Sequence, residues 1–250
     1  MAVGLPLLAA TDPGPMARLL RSNARAVRRL MTTVAGVPVE VDGHEHLPDG
    51  PYILAAKHES WGDGYVWMAE LPDLVPMIGR HVLRPGIVRV LAQKAGAIIV
   101  DVDGSAHARG RDLAVAAEIA KRRDLPLLVF PEGKISEPDG HEPIRGGTYR
   151  LYRMLGWPVV PAATNLGRRW PLDDDLVLRP GPAVARLLPP IAPGLGRAEF
   201  DARLAAAIRD ETDRLRAAAL PLNDGFLQDG RGVASKLRSG TAGRRTRTPS

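Results

Sequence analysis

The sequence predicts an α/β fold: a single domain whose mostly parallel, mixed sheet is flanked by helices and preceded by an amphipathic N-terminal helix. Three observations lead there. Short runs of Val, Leu, Ile and Ala are continuously apolar, which marks strands covered on both faces. Helical stretches separate many of these runs, the order of a sheet built with crossovers. The 250 residues are 45% apolar but only 4% aromatic, enough for one substantial core made of aliphatic side chains.

In chain order, Leu19, Leu20, Val27, Leu30, Met31 and Val34 recur with helical spacing between Pro15 and Val34, with arginines between them. This reads as a basic amphipathic helix lying at a membrane interface, although a helix docked on its own domain with a solvated basic face has a similar pattern. Strands are expected at Val37–Val41, Tyr52–Ala56, Leu74–Ile78, Ala97–Val100, Leu125–Phe130 and Val159–Ala163. Helices are expected at Asp63–Leu71, Pro85–Lys94, Ala106–Arg122, Gly147–Leu155 and Arg197–Ala219. Leu176–Leu178 and Ala183–Leu188, parted by Arg179-Pro-Gly-Pro182, read as an edge hairpin. The division is therefore a helix over 1–35, a domain over 36–222, and a basic tail over 223–250 whose Gly, Ser, Thr and Arg content predicts disorder.

The net charge of +6 is unevenly placed. Residues 231–250 hold six basic side chains and no acid, and residues 1–33 hold five arginines against Asp12, so the intervening body carries −4. Basic ends on an acidic body suit an anionic surface. No apolar run reaches the roughly 20 residues of a membrane-crossing helix, and the opening Met1–Ala10 makes a poor secretory signal. The absence of cysteine excludes a Cys nucleophile, disulfides and thiolate metal sites.

Two segments carry chemistry. Ile53-Leu-Ala-Ala-Lys-His-Glu-Ser-Trp-Gly-Asp63 takes a buried strand into a polar turn and then a helix, which places His58 and Asp63 at a strand's carboxyl end, where clefts of open α/β sheets form. A histidine oriented by a carboxylate through one ring nitrogen leaves the other to act as a general base. By spacing alone, a loop histidine followed by an aspartate capping the next helix fits as well. Leu127-Leu-Val-Phe-Pro-Glu-Gly-Lys-Ile-Ser136 is a second buried strand ending in a polar turn, with Pro131 ending the strand and Gly133 permitting a tight bend. It is not a P-loop: Leu128 stands where that motif needs glycine, and Ile135 where it needs Ser or Thr.

Together these segments resemble the signatures of the glycerolipid acyltransferases, typified by bacterial lysophosphatidate acyltransferases: His-x4-Asp and, some seventy residues on, Phe-Pro-Glu-Gly. Gly96-Ala-Ile-Ile-Val-Asp101, Trp157-Pro-Val-Val-Pro-Ala-Ala-Thr-Asn165 and Leu188-Pro-Pro-Ile-Ala-Pro-Gly-Leu195 are similar to further blocks of that family, so the resemblance runs in order from Val37 to Leu220. It implies that His58 deprotonates an acceptor hydroxyl, which attacks the thioester of acyl-CoA or acyl carrier protein, while Asp63 holds the ring. It also implies substrate binding by Phe130, Pro131, Glu132, Gly133 and Lys134, with Arg80 and Arg145 as further headgroup candidates and backbone N–H groups near Gly133 available to acceptor or oxyanion. The implied acceptor is a lysophospholipid, foremost 1-acylglycerol-3-phosphate giving phosphatidic acid. No cofactor or metal is implied beyond the thioester co-substrate, and the expected place is peripheral, on the cytoplasmic face of the cell membrane.

The sequence departs from the family at two positions. Ile135 and Val102 stand where arginines are usual, so the phosphate site is altered. Lysine after Phe-Pro-Glu-Gly resembles the tafazzin branch of transacylases, which keeps other lysophospholipids and lyso-aminolipids open as acceptors. His44 and His46, a possible metal pair, read better as a solvated turn, as do His81, His107 and His141 as surface residues and Asp173–Asp175 as a loop. Trp61 can wall an acyl channel or pack the turn. The basic tail would attract nucleic acid, but no folded nucleic-acid motif accompanies it, and a non-catalytic lipid-binding protein would not need His58, Asp63 and Glu132 together.

Overall fold

The computed structural model describes residues 14–71, 73–80, 90, 92–94, 96–101, 104–137, 140–171 and 177–219. In order the elements are α1 (Gly14–Thr33), β1 (Val39–Asp42), β2 (Ile53–Ala56), α2 (Asp63–Glu70), β3 (Val75–Gly79), β4 (Ile98–Val100), α3 (Ala106–Arg123), β5 (Leu127–Val129), α4 (Gly146–Leu155), β6 (Val159–Thr164), β7 (Ala183–Leu187) and α5 (Arg197–Ala218). Single turns of 3-10 helix add His44–His46 and Leu166–Arg168. Apart from the hairpin, the expected strands and helices appear with bounds shifted by a residue or two. The helix expected over Pro85–Lys94 lies largely outside the described residues, as do Asp173–Asp175 and the tail over 223–250.

The seven strands form one sheet in the order β1-β7-β6-β2-β5-β3-β4. Five neighbours from β6 to β4 run parallel, β7 pairs antiparallel with β6, and β1 pairs parallel with β7. Along β2 the side chains alternate between two buried layers. Ile53 and Ala55 face Ala116, Ala120, Tyr152 and Phe200 of α3, α4 and α5, while Leu54 and Ala56 face Met31 of α1 and Val66 and Trp67 of α2. Burial on both faces is why the strand is apolar throughout.

The edge hairpin predicted between Leu176–Leu178 and Ala183–Leu188 is not formed. Val177 and Leu178 have no strand conformation, and β7 lies inside the sheet. Its two backbone edges are taken by β1, beginning with Ala183 N donating to Pro38 O at 2.9 Å, and by β6, leaving no edge for a hairpin partner.

Helix ends follow the local sequence. Ser105 caps α3, its hydroxyl accepting from Ala108 N at 3.2 Å, and Lys121, Arg122 and Arg123 face the negative end of that helix before Asp124 turns left-handed at φ 51°. α1 is docked on the domain through Ala24 and Met31, and Arg28 binds both Glu70 and the carbonyl of Val39. It also leaves Leu19 and Leu30 half or more exposed, at 50% and 57%.

Candidate active site

Parallel neighbours bring their carboxyl ends to one edge, and this is what assembles the site. β2 and β5 pair with Ile53 opposite Leu127 and Ala55 opposite Val129, so the turns that follow them emerge side by side. The first turn carries His58 and the second runs from Phe130 to Ser136.

His58 Nδ1 lies 3.1 Å from Asp63 Oδ2. The same oxygen accepts the backbone N–H groups of Glu59 and Ser60, each at 2.8 Å. An oxygen that already accepts two backbone N–H groups meets the ring as an acceptor as well, which requires the proton on Nδ1. Nε2 is left with its lone pair and has no partner among the described residues. The imidazole is stacked on Phe130, ring centroids 3.9 Å apart and planes 17° from parallel, and its side chain is 19% exposed. Asp63 opens α2, where its charge also meets the positive end of the helix. The ring is thus fixed in plane by Phe130, in tautomer by Asp63, and open at one nitrogen.

The remaining expected residues divide into two groups. Glu132 is buried at 3% exposure and bound within the protein: its Oε1 lies 2.6 Å from the ammonium of Lys57, and its Oε2 is 3.3 Å from His58 N and 3.0 Å from the Ser136 hydroxyl. Lys57, wholly buried, also donates to Ser136 Oγ at 2.6 Å and to Gly140 O at 3.1 Å. Ser136 N closes the bridge to His58 O at 2.8 Å. The two turns are therefore joined by a buried ion pair and its hydrogen bonds.

Pro131 is buried behind this bridge, and its carbonyl accepts Arg145 N at 2.8 Å. The second group, at the surface, is Lys134, Arg145 and Arg80. Gly133 takes φ +69°, and Arg145 folds across it: a Cβ at this position would meet Arg145 Cδ at 2.8 Å. The N–H of Gly133 closes the turn onto Phe130 O at 3.0 Å, so this group is not free to receive an oxyanion. Lys134, 54% exposed, pairs with Glu142 at 2.9 Å. Arg80 follows β3 at the same sheet edge and stands 4.0 Å from Asp112. Trp61, beside the base, is 42% exposed.

Four participants were not singled out from sequence: Lys57, Ser136, Glu59 and Arg216. Glu59 is buried, its Oε1 accepting Gly167 N at 3.0 Å and its Oε2 accepting Arg216 Nη2 at 2.7 Å. Burial pushes its carboxyl up to about 7, with the Asp63 charge adding to the rise and Arg216 opposing it. Lys57 directly follows one apolar strand and Glu132 comes three residues after another, positions at which a charged side chain reads from sequence as solvated. Nothing separates Arg216 from the other arginines of α5. Among the described residues no group of three metal-binding side chains gathers; His44 instead lies 2.9 Å from Glu70.

A family model described as acyltransferase matches residues 38–165. The chain is 28% identical over 163 residues to 1-acyl-sn-glycerol-3-phosphate acyltransferase alpha of Mus musculus, covering 63% of this chain and 56% of that protein. It is 29% identical over 143 residues to the 1-acyl-sn-glycerol-3-phosphate acyltransferase of Pseudomonas aeruginosa, covering 57% and 55%. A lyso-ornithine lipid O-acyltransferase of the same organism is 28% identical over 192 residues, covering 70% and 73%. The chain thus spans little more than half the length of the first two relatives. In fold it is similar to the 1-acyl-sn-glycerophosphate (LPA) acyltransferase PlsC of Thermotoga maritima, with a TM-score of 0.69 at 18% identity, covering 87% of this chain and 88% of that one.

Proposed function

The chain belongs to the acyltransferase family, and we propose that it transfers a fatty acyl group from acyl-CoA or acyl carrier protein to the free hydroxyl of a lysophospholipid, foremost 1-acylglycerol-3-phosphate. The observation that carries this reading is the His58–Asp63 pair, 3.1 Å apart, with Nε2 unengaged at the mouth of the turn. His58 Nε2 takes the acceptor's hydroxyl proton as the oxygen attacks the thioester carbonyl. A C–O bond forms, the C–S bond breaks, and the imidazolium returns the proton to the departing thiolate. Asp63 stabilises the imidazolium between these steps, and proton transfer of this kind contributes roughly 10²–10⁴-fold. The nucleophile is the acceptor itself, so no covalent enzyme intermediate and no resident cofactor are needed.

The acceptor's anionic group is assigned to Arg145, folded over Gly133 at the second turn, with Lys134 and Arg80 along the same edge. One observation favours a second acceptor class. Glu142 already neutralises Lys134, which leaves less positive charge for a phosphate monoester and places a carboxylate where an amine could bind. A lyso-aminolipid carries such an amine, and the relative that acts on lyso-ornithine lipid is in keeping with it.

For the protein's place we propose the surface of an anionic membrane, reached through α1. Its arginines Arg25, Arg28 and Arg29 line an open groove with Thr32, Thr33 and Ala69, beside the exposed Leu19 and Leu30. No helix among the described residues is long and apolar enough to cross a membrane. The deciding experiment offers a panel of lysolipids with labelled acyl-CoA or acyl carrier protein and resolves products by mass. Transfer to lysophosphatidate supports the first reading and transfer only to an amine-bearing lysolipid the second. Failure of every acceptor with both donors rejects the activity.

A further inference from the structure

Beneath the catalytic turn lies a buried ion pair that the proposed reaction does not use. Glu59 follows the base directly, yet its side chain turns away into the core, where Arg216 and the N–H of Gly167 hold its two oxygens at 2.7 and 3.0 Å. Arg216, in the last turn of α5, is itself only 6% exposed. Gly167 lies against the same residue: a Cβ there would stand 2.6 Å from Glu59 O. Charges so placed lose hydration, and apolar side chains would fill the space at no greater cost in stability. Stability alone therefore does not account for them.

Their geometric effect is on one peptide group. His58 O is held by Ser136 N and the Ser136 hydroxyl at 2.8 and 2.9 Å, and the N–H of the same peptide, from Glu59, donates to Asp63 Oδ2 at 2.8 Å. Rotation of that peptide would withdraw a donor from Asp63 and carry the imidazole with it. The Glu59 side chain is the anchor against such rotation. Arg216 Nη2 also comes within 3.5 Å of Gly140 O, the carbonyl that receives the Lys57 ammonium, so the pair abuts the bridge between the two turns.

We propose that Arg216 and Glu59 are positioning residues for the acyl transfer: the end of α5, acting through the buried carboxylate, fixes the peptide from which His58 and the cradle of Asp63 are hung. This rests on the acyltransferase reading. Arg216 opposes the rise that burial imposes on this carboxyl. The carboxylate is faced by Arg216 from α5, by Asp63 from the start of α2 and by Gly167 N, with Asp213 3.5 Å from the far side of Arg216 and the Lys57–Glu132 pair beyond Gly140. Without Arg216, the rise that burial imposes on the Glu59 carboxyl would go unopposed and its anchor would be reduced to the Gly167 bond.

The test uses the full chain and the variants Arg216→Met, Arg216→Lys and Glu59→Gln. Two readouts are taken: steady-state kcat with KM for each substrate, and the downfield proton signal of His58 Nδ1–H in protein labelled with ¹⁵N-histidine. Arg216→Met and Glu59→Gln are each expected to lower kcat by roughly 10- to 100-fold, with both KM values within twofold. The His58 signal should shift or broaden, and Arg216→Lys should restore part of both. A folded Arg216→Met variant with wild-type kcat and signal overturns the proposal. If that variant does not fold, the near-isosteric Glu59→Gln decides in the same way. If the wild type acylates no acceptor, the signal alone decides: a moved signal upholds the positioning role while the acyltransferase reading falls, and an unmoved one overturns the positioning role too.

Discussion

The ammonium of Lys57, wholly buried, meets the carboxylate of Glu132 at 2.6 Å across two neighbouring parallel strands. Each charge in this pair is the other's replacement for water. Removing one leaves the other desolvated and unpaired, so Lys57→Met should lower the free energy of unfolding by about 3–5 kcal/mol. The double variant Lys57→Met with Glu132→Leu should recover most of that loss. Urea denaturation measures both, and a double variant no more stable than the single one contradicts the account.

Asp63→Asn leaves the shape of the turn but replaces a three-donor acceptor by an amide. The imidazole then loses the charge that holds its tautomer and stabilises its protonated form. CoA release should drop by roughly 10²–10⁴-fold while thermal stability changes far less, and His58→Ala should abolish it.

Glu59 gives a pH dependence with a definite sign. Its folded value of about 7 stands above the ordinary 4.5, chiefly through burial. Between these two values the folded chain binds more protons than the unfolded chain. Its contribution is fully present below pH 4.5 and is lost as the pH rises through 7, a change of about 3 kcal/mol. Chemical denaturation at stepped pH should show this decline in the wild type, and a flatter profile in Glu59→Gln.

Gly133→Ala meets two obstacles, a left-handed backbone and the Arg145 side chain 2.8 Å from the new methyl carbon. A loss of about 1–2 kcal/mol in stability is expected. If Arg145 holds the acceptor's anion, the acceptor KM should rise much more than the donor KM. Lys134→Ala should do the same more weakly, since Glu142 already claims that charge.

Vesicle binding tests α1. Deleting the helix would also strip Ala24 and Met31 from the core, so charge reversal at the exposed Arg25 and Arg29 is the cleaner variant. Binding to anionic vesicles, read by sedimentation, should weaken by about 1 kcal/mol per unit of positive charge lost, two units at each reversed arginine, and the difference should vanish in high salt.

The sheet was legible because burial on both faces leaves an unbroken apolar run, and β2 and β5 each end in a polar turn that marks the functional edge. What the runs lack is partner information. Ala183–Leu187 reads as a strand, but only the structure shows β1 and β6 on its two sides, so the hairpin expectation failed. His58 and Asp63 were legible because they lie five positions apart across one turn. Lys57, Glu59 and Glu132 were opaque in role, since a charged residue after a strand reads as solvated, and their burial depends on partners 75 or more positions away. Arg216 looks like any helix-surface arginine until its neighbours are in place.

The pairing of β1 with β7 has a consequence for how the chain is made. β1 must wait for β7, where Ala183, 144 positions after Val39, lies beside it, before its inner edge is paired. During synthesis the first strand therefore emerges with that edge unclaimed, while α1 can already reach the strand, through Val37 N to Met31 O and the Arg28 guanidinium on Val39 O. Those two local bonds fall on the side of the segment opposite to β7, which reaches it through Pro38 O, so α1 blunts the outer rim of the sheet against mispairing from the start and leaves only the inner side waiting for the last strand.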